Sequence, residues 1–405
     1  MRMRYGLFLL CCFLATSSVL KASDEPTSKP VIGFPQRLDE AYHYGRLKQF
    51  NKSIAAFEKL IETNPGEFIV YDLYAQTLDL KQDYSGAVAV YEKWSPHRKG
   101  NGPGNPDEVT EKISRLKKKQ EFKALMEKAE PWDDAKVYGT VEFAVKSNVP
   151  KEYQDKILSQ LSEIIRKERR LLEDIFGYSV EDQPYMKVFI AGRLEDYKKL
   201  LHEFNPDSEK VYRQGSYFSD SHGMIVFFDG DIDLTVLAHE TAHHLIDHYI
   251  KNPSMLLNEG LAEYLAYKLT KEHAKTKLLN DLELMNWLYD QGRLGNVLDI
   301  FKIWRSYLDE LAMKDFVDLK TYDRLDRTTR MFYLRAWTLI YFFIEGRDKF
   351  SSKFFKDYLA YEKNNPTNDY NTAAKFFEKN LTLEQVKSLD NKWSQFMSSI
   401  TYDKI

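Results

Sequence analysis

The sequence predicts an α+β protein that is mostly helical, with N-terminal helical repeats, a middle part holding a small mixed sheet, and a helical C-terminal part. Three observations predict this organisation. Two N-terminal segments, one beginning at Phe50 and the other at Tyr84, repeat the same pattern. Strand-like and helix-like segments alternate from residue 137 onwards, and residues 298–398 are rich in aromatic residues and carry helical patterns only.

Length, charge and aromatic content limit the class of protein. The 405 residues are enough for two or more domains. A formal net charge of −3 does not favour a nucleic-acid partner or a basic membrane-binding surface. The 14% aromatic content predicts well-filled helical cores.

Residues 1–23 have the pattern of a secretory signal peptide. Two arginines precede an apolar run over residues 5–20, and small residues follow it. An uncleaved anchor is the alternative, but the run is short for a membrane span. We therefore expect a secreted or periplasmic protein with no stable membrane span after signal removal. Lipoprotein anchoring is a further alternative.

Both cysteines of the chain, Cys11 and Cys12, lie inside this apolar run. Removal of the signal peptide leaves a chain without thiols, so a metal must be bound by nitrogen and oxygen. This excludes a cysteine-based structural site.

Residues 24–35 are predicted to be a flexible linker, and residues 36–130 a helical repeat domain. Phe50–Lys59 aligns with Tyr84–Lys93, and aromatic and small residues recur at matching positions. The spacing of these segments and this pattern resemble tetratricopeptide repeats, whose period is about 34 residues. Two units are visible, each expected to be a helical hairpin. The resemblance implies a surface for a peptide or protein partner; a structural cap is the alternative.

The middle part alternates between strands and helices. Val137–Val145 and Tyr185–Ala191 have the composition of strands, and Lys151–Ile175 has the period of a long amphipathic helix. Residues 215–220 and 223–228 are predicted to form a hairpin. Together these segments predict a small mixed sheet packed on helices.

A metal-binding motif follows the hairpin, because His239–His243 reads H-E-x-x-H. On a helix, histidines four residues apart project from one face and can bind one ion. Zinc needs a third protein ligand and an open position, and Glu259 on the next predicted helix can be that ligand. Glu240 lies about 100° round the helix, where it can take a proton from metal-activated water. A polar surface helix is the alternative.

These motifs resemble the gluzincin, or peptidase-MA-like, zinc metallopeptidases, in which H-E-x-x-H is followed by a helix reading N-E-x-x-x-E/D. Asn258–Glu263 matches that second pattern. The resemblance implies a thermolysin-like zincin domain over residues 135–297 and a helical subdomain over residues 298–405. It also implies one Zn²⁺ per chain, with Glu240 as the general base and three ligands: His239, His243 and Glu259. Glu263 would hold the second ring nitrogen of a ligand histidine.

Two features limit the resemblance. The segment between His243 and Glu259 is shorter than in the best-known gluzincins, which shortens the connecting loop. The motifs cover about residues 223–265, and a weaker likeness runs from about residue 137 to the C-terminus. The metzincin pattern is excluded, because it needs Gly and His where this chain has Ile246 and Tyr249.

The resemblance implies two further sets of functional residues. The strand before the metal helix would be a sheet edge that pairs with extended substrate through three residues: Ile225, Val226 and Phe227. The alternative is an ordinary buried strand. Tyr333 would donate to the oxyanion of the transition state. The alternative is that Tyr333 is one core aromatic residue among several.

Two functional hypotheses follow. The first is an extracytoplasmic zinc-dependent peptidase that hydrolyses peptide bonds with metal-activated water and Glu240 as general base. An endopeptidase is preferred, because the amine-anchoring Gly-x-Met-Glu-Asn pattern of aminopeptidases is absent from the sequence. The alternative is a non-catalytic tetratricopeptide-type scaffold with a structural metal site. The presence of Glu240 favours the enzyme, because a structural site does not need that carboxylate.

Overall fold

The structure is a computed structural model that describes residues 33–94, 104–126, 135–139, 143–180, 185–204, 215–218, 223–230, 233–272, 278, 281–285, 288, 296–301, 319–365 and 370–400. The expected signal peptide and most of the linker lie outside the described residues. The chain divides into two compact units, residues 1–124 with 317–323, and residues 125–316 with 324–405.

The first unit contains paired helices that repeat along the chain. They are α1 (Phe34–Arg46), α2 (Phe50–Thr63), α3 (Phe68–Leu80) and α4 (Tyr84–Trp94), followed by α5 (Pro106–Met126). The starts of α3 and α4 follow those of α1 and α2 at the same offset that relates the two sequence segments. Helix α1 begins inside the segment that was expected to be linker.

Aromatic residues and one shared carboxylate hold these helices together. Phe57 is fully buried and stacks on Tyr74 with ring centroids 5.4 Å apart. Asp72 accepts hydrogen bonds from the Tyr91 hydroxyl and from Lys112 Nζ, both at 2.6 Å. Helix α5 is thereby fastened to α3 and α4.

A mixed five-stranded sheet lies in the second unit. Its strands are β1 (Lys136–Gly139), β2 (Phe143–Ser147), β3 (Met186–Ala191), β4 (Gly215–Phe218) and β5 (Gly223–Phe227). The order across the sheet is β1-β2-β3-β5-β4, in which β2, β3 and β5 are parallel and the two outer strands are antiparallel. The prediction of a small mixed sheet in a mostly helical α+β protein is confirmed.

The single strand predicted over Val137–Val145 is wrong in detail. The segment forms two antiparallel strands, in which Tyr138 pairs with Val145 and Gly139 with Ala144. The alternation of strand-forming residues continues through both strands, so it gives no sign of the reversal between them.

Helices cover both faces of the sheet. They are α6 (Lys151–Phe176) and α7 (Leu194–Phe204), which belong to the crossovers between parallel strands, and α8 (Leu234–Tyr249), which follows β5. Ile225 and Phe227 pack with Leu200 and Leu201 of α7 on one face. Gly215, paired with Val226, faces α8 on the other.

The remaining helices are α9 (Met255–Thr270), α10 (Leu319–Glu345), α11 (Lys349–Asn364), α12 (Tyr370–Asn380) and α13 (Leu383–Ser398). Aromatic rings fill the contacts between α10, α11 and α12. Phe343 stacks on Phe355 with ring centroids 5.3 Å apart, and Phe354 meets Phe377 edge-on at 5.0 Å. Across the described helices, we find none with both the length and the apolar character of a membrane span.

Candidate metal centre

Helix α8 begins at a strong N-terminal cap. The Asp233 side chain accepts hydrogen bonds from the backbone N–H groups of Thr235 and Val236, at 2.9 and 3.3 Å. Leu237, Ala238 and Ala242 are fully buried, so the helix is held against the domain core. This packing orients the face that carries the two histidines.

Helix α9 runs antiparallel to α8 and carries the third candidate ligand. The hydroxyl oxygens of Thr235, near the start of α8, and Thr270, at the end of α9, lie 3.1 Å apart. Ser254 caps α9 by accepting a hydrogen bond from Leu257 N–H. Glu259 lies in the first turns of α9 and faces the histidines across the helix pair.

Three donor atoms converge at one point. His239 Nε2 and His243 Nε2 are 3.0 Å apart, and Glu259 Oε2 lies 3.3 Å from the first and 3.5 Å from the second. Tetrahedral zinc with ligand bonds of about 2.0–2.1 Å requires donor atoms about 3.3 Å apart. The three separations are therefore close to those that one zinc ion needs.

The Glu259 carboxylate supports this fit on a second ground. Its Oε2 atom is buried and accepts no hydrogen bond among the described residues. A buried carboxylate oxygen without a partner is costly, because it has lost its hydration. A positive charge held between this oxygen and the two imidazoles, either a proton on His243 or a metal ion, removes that cost.

The two charged groups of the centre shift each other's titration. Burial lowers the pKa of His243, but the Glu259 carboxylate outweighs burial, and the pKa is raised to about 9. Burial raises the pKa of Glu259, but His243 and His239 outweigh it and hold that pKa well below its usual range. In the metal-free protein the centre is therefore an ion pair between a protonated His243 and an ionised Glu259 near neutral pH.

The second ring nitrogens of both histidines face acceptors. His243 Nδ1 lies 2.9 Å from Asn258 Oδ1, to which it donates, and this leaves Nε2 directed at the metal position. His239 Nδ1 lies 3.9 Å from Glu263 Oε1, longer than a hydrogen bond. Glu263 thus lies on the predicted side of a ligand histidine. The role of Asn258 was missed, although it begins the N-E-x-x-x-E motif.

The expected sheet edge before the metal helix is wrong. β5 lies between β3 and β4, so it is hydrogen-bonded on both sides. The three residues expected to bind substrate are at most 5% exposed: Ile225, Val226 and Phe227. They are core residues, because helices cover both faces of their strand. Among the described strands, β4 is the one at the edge on this side of the sheet.

β4 lies directly against the general-base candidate. A Cβ atom placed on Gly215 would lie 2.6 Å from Val236 Cγ1 and 3.0 Å from Glu240 Cγ. Only glycine permits this approach of strand to helix. The glycine at the start of β4 is visible in the sequence, but its close contact with α8 can be recognised only once the strand order is known.

Tyr333 lies beside the metal ligands. Its ring centroid is 6.3 Å from that of His239, on helix α10. A close crossing of helices places α10 there, because a Cβ atom on Gly260 would lie 3.0 Å from the Ala336 carbonyl oxygen. Gly260 immediately follows Glu259, so α9, which carries Glu259, and α10, which carries Tyr333, cross beside the candidate site.

No model of a known protein family matches this chain, and no curated protein matches it.

Proposed function

We propose that this protein is an extracytoplasmic zinc-dependent peptidase. The observation that carries the proposal is the convergence of three donor atoms at 3.0–3.5 Å from one another, with Glu240 one residue from a ligand but outside the ligand set. Zinc held by two imidazoles and one carboxylate, with an open position, is the arrangement of a hydrolytic site.

The finer architecture belongs to the same proposal. Residues 135–297 would form a thermolysin-like zincin domain, residues 298–405 its helical subdomain, and residues 36–130 a tetratricopeptide-like repeat domain that binds a peptide or protein. The antiparallel pairing of α8 with α9 and the edge strand β4 beside α8 support the zincin assignment. The secretory pattern of residues 1–23 supports a secreted or periplasmic location.

His239, His243 and Glu259 would hold the ion, which when bound supplies Lewis acidity to a water molecule and to the scissile carbonyl. Glu240 takes a proton from the attacking water and passes it to the leaving amine. Tyr333 donates a hydrogen bond to the developing oxyanion from the His239 side of the centre. Asn258 fixes the orientation of the His243 ring, and the Glu263 carboxylate lies on the side of the second ring nitrogen of His239.

Edge strand β4 gives the substrate a place to bind. An extended peptide can add to the edge of a sheet through backbone hydrogen bonds, independently of its sequence. Gly215 brings this edge within reach of Glu240, so a peptide paired with β4 passes the general base. Binding along a strand favours cleavage within a chain, which supports an endopeptidase.

The test is cleavage of a proteome-derived peptide library by the mature protein supplied with zinc, with Glu240→Gln as the matched control. We expect internal cuts by the wild type that disappear with chelation and in the variant. Cuts that persist in Glu240→Gln would contradict the proposed mechanism. Stoichiometric zinc binding without any cut would instead favour a non-catalytic scaffold with a structural metal site.

A further inference from the structure

A buried polar network joins helix α11 to the start of the ligand helix α9. The backbone N–H of Ser254 donates to Glu362 Oε2 at 2.9 Å, and Ser254 Oγ lies 2.7 Å from the Tyr358 hydroxyl. All three residues are fully buried. The cap of α9 is thus itself bonded to a helix that lies far later in the chain.

A buried carboxyl group at position 362 lowers the stability of the fold. Its second carboxyl oxygen, Oε1, is buried and has no hydrogen-bond partner among the described residues. Burial raises the pKa of Glu362 above its ordinary value, although its bonds to Ser254 and Tyr358 lower it. An apolar residue of the same volume avoids this cost, so stability alone does not explain a carboxyl group here.

The network holds the first turn of α9 in place through its N-cap, Ser254. The Asn258 backbone N–H donates to the Ser254 carbonyl at 2.8 Å, so the two residues are rigidly connected. The Asn258 side chain in turn orients His243, and the adjacent Glu259 provides the carboxylate of the centre. A shift of the α9 N-terminus would therefore move Glu259, one candidate ligand, and Asn258, the hydrogen-bond partner of His243.

We propose that Glu362 is a positioning residue for the metal centre: by accepting from Ser254 N–H, it fixes the start of α9 and so the distance of Glu259 and Asn258 from the histidines. Tyr358 assists by holding the Ser254 hydroxyl. The inference rests on the metal site of the proposed function, but it does not require that the protein cleave peptides.

The experiment compares zinc affinity in two variants of Glu362, measured by competition with a chromophoric chelator. Glu362→Gln keeps the acceptor and the volume, so its Kd should stay within about threefold of wild type. Glu362→Leu keeps the volume but loses the acceptor, and its Kd should rise about tenfold or more. Tyr358→Phe removes a hydroxyl that is bonded to Ser254 and Glu362 but leaves the Glu362 carboxylate in place, so it provides a milder variant with an expected rise of about threefold.

Ser147→Ala is the matched control, because Ser147 also makes two buried hydrogen bonds in this unit, to Ile190 O and from Val149 N–H. Its Tm should fall while its zinc affinity stays unchanged. If Glu362→Leu binds zinc as tightly as wild type, the inference is wrong. It is also wrong if zinc affinity falls in proportion to Tm in both Glu362→Leu and Ser147→Ala.

The two proposals fail in different ways. A wild-type protein that binds no zinc would remove both the proposed function and this inference. A protein that binds zinc with the expected pattern of affinities but cleaves nothing would remove the peptidase alone.

Discussion

The Nε2 atoms of His239 and His243 lie 3.0 Å apart on one face of α8. Two neutral imidazoles with their lone pairs facing each other repel, and a positive charge between the two nitrogens removes that repulsion. In the metal-free protein that charge is a proton, which Glu259 stabilises from 3.5 Å. On the proposed function, a zinc ion would take the place of this proton, and the titration of the centre would depend on that exchange.

Zinc binding should release a proton below pH 9. His243 has its pKa raised to about 9, so near pH 7.5 the metal-free residue carries a proton that zinc must displace. Calorimetry in buffers of different ionisation enthalpy should show about one proton released per zinc. Apparent affinity should rise about tenfold per pH unit and level off above pH 9. Affinity independent of pH between 7 and 9 would contradict this exchange.

The metal-free protein should lose stability over the same range. A histidine whose pKa is higher in the folded than in the unfolded state stabilises the fold fully below its unfolded value, and that stabilisation disappears as pH rises through the folded value. The contribution of His243 is thus present below about pH 6.5 and lost by about pH 9. The Tm of metal-free wild type should fall across this window. The Tm of His243→Gln should not show the same fall.

Tyr333→Phe should lower kcat by about tenfold or more while zinc content stays at one per chain, because the change removes only the donor to the oxyanion. The ring contact with His239 is retained in this variant. Steady-state kinetics with metal analysis measures both quantities. An unchanged kcat would show that Tyr333 is a core aromatic residue and no more.

Gly215→Ala should impair turnover without removing zinc. The added Cβ would lie 3.0 Å from Glu240 Cγ, so the general base must move or β4 must shift outward. We expect kcat/KM to fall by about tenfold or more with zinc affinity unchanged. Gly66→Ala is the matched control, because its Cβ meets no atom within 4 Å. Equal activity in both variants would show that the approach of β4 to Glu240 has no role in turnover.

Glu168→Gln should stabilise the metal-free protein at alkaline pH. Glu168 lies fully buried on α6, and burial raises its pKa well above the ordinary value, although Thr241 and His243 act in the opposite direction. The folded state then holds a proton that the unfolded state releases, so stability falls as pH rises above about 4.5. Urea unfolding should show the variant about 1–3 kcal/mol more stable at pH 8 and equal at pH 4. A variant less stable at pH 8 would contradict the account.

Sequence patterns were sufficient where the structure depends on local chemistry. The long helix over residues 151–175, the hairpin of β4 and β5 and the ligand spacing on α8 all follow from periodicity, caps and turns. His239, His243 and Glu259 were placed together because two helices joined by a short loop must pack against each other.

The features that sequence patterns missed depend on contacts between distant segments. Lys119 is buried and paired at 3.0 Å with Asp79, which lies two helices earlier on α3, and the lysine run that contains it gives no sign of this partner. The neighbours of β5 across the sheet are not encoded in its own alternation, so its burial could not be distinguished from an edge position. The support of Ser254 by Glu362 has no local signature at all.

The most direct test of the central claim is the zinc content and coordination of the purified mature protein, by metal analysis and X-ray absorption at the zinc edge. The account predicts one zinc per chain with two imidazole nitrogens and light oxygen donors, and loss of that shell in Glu259→Ala. Zinc absent from the wild type, or an unchanged shell in Glu259→Ala, would contradict it.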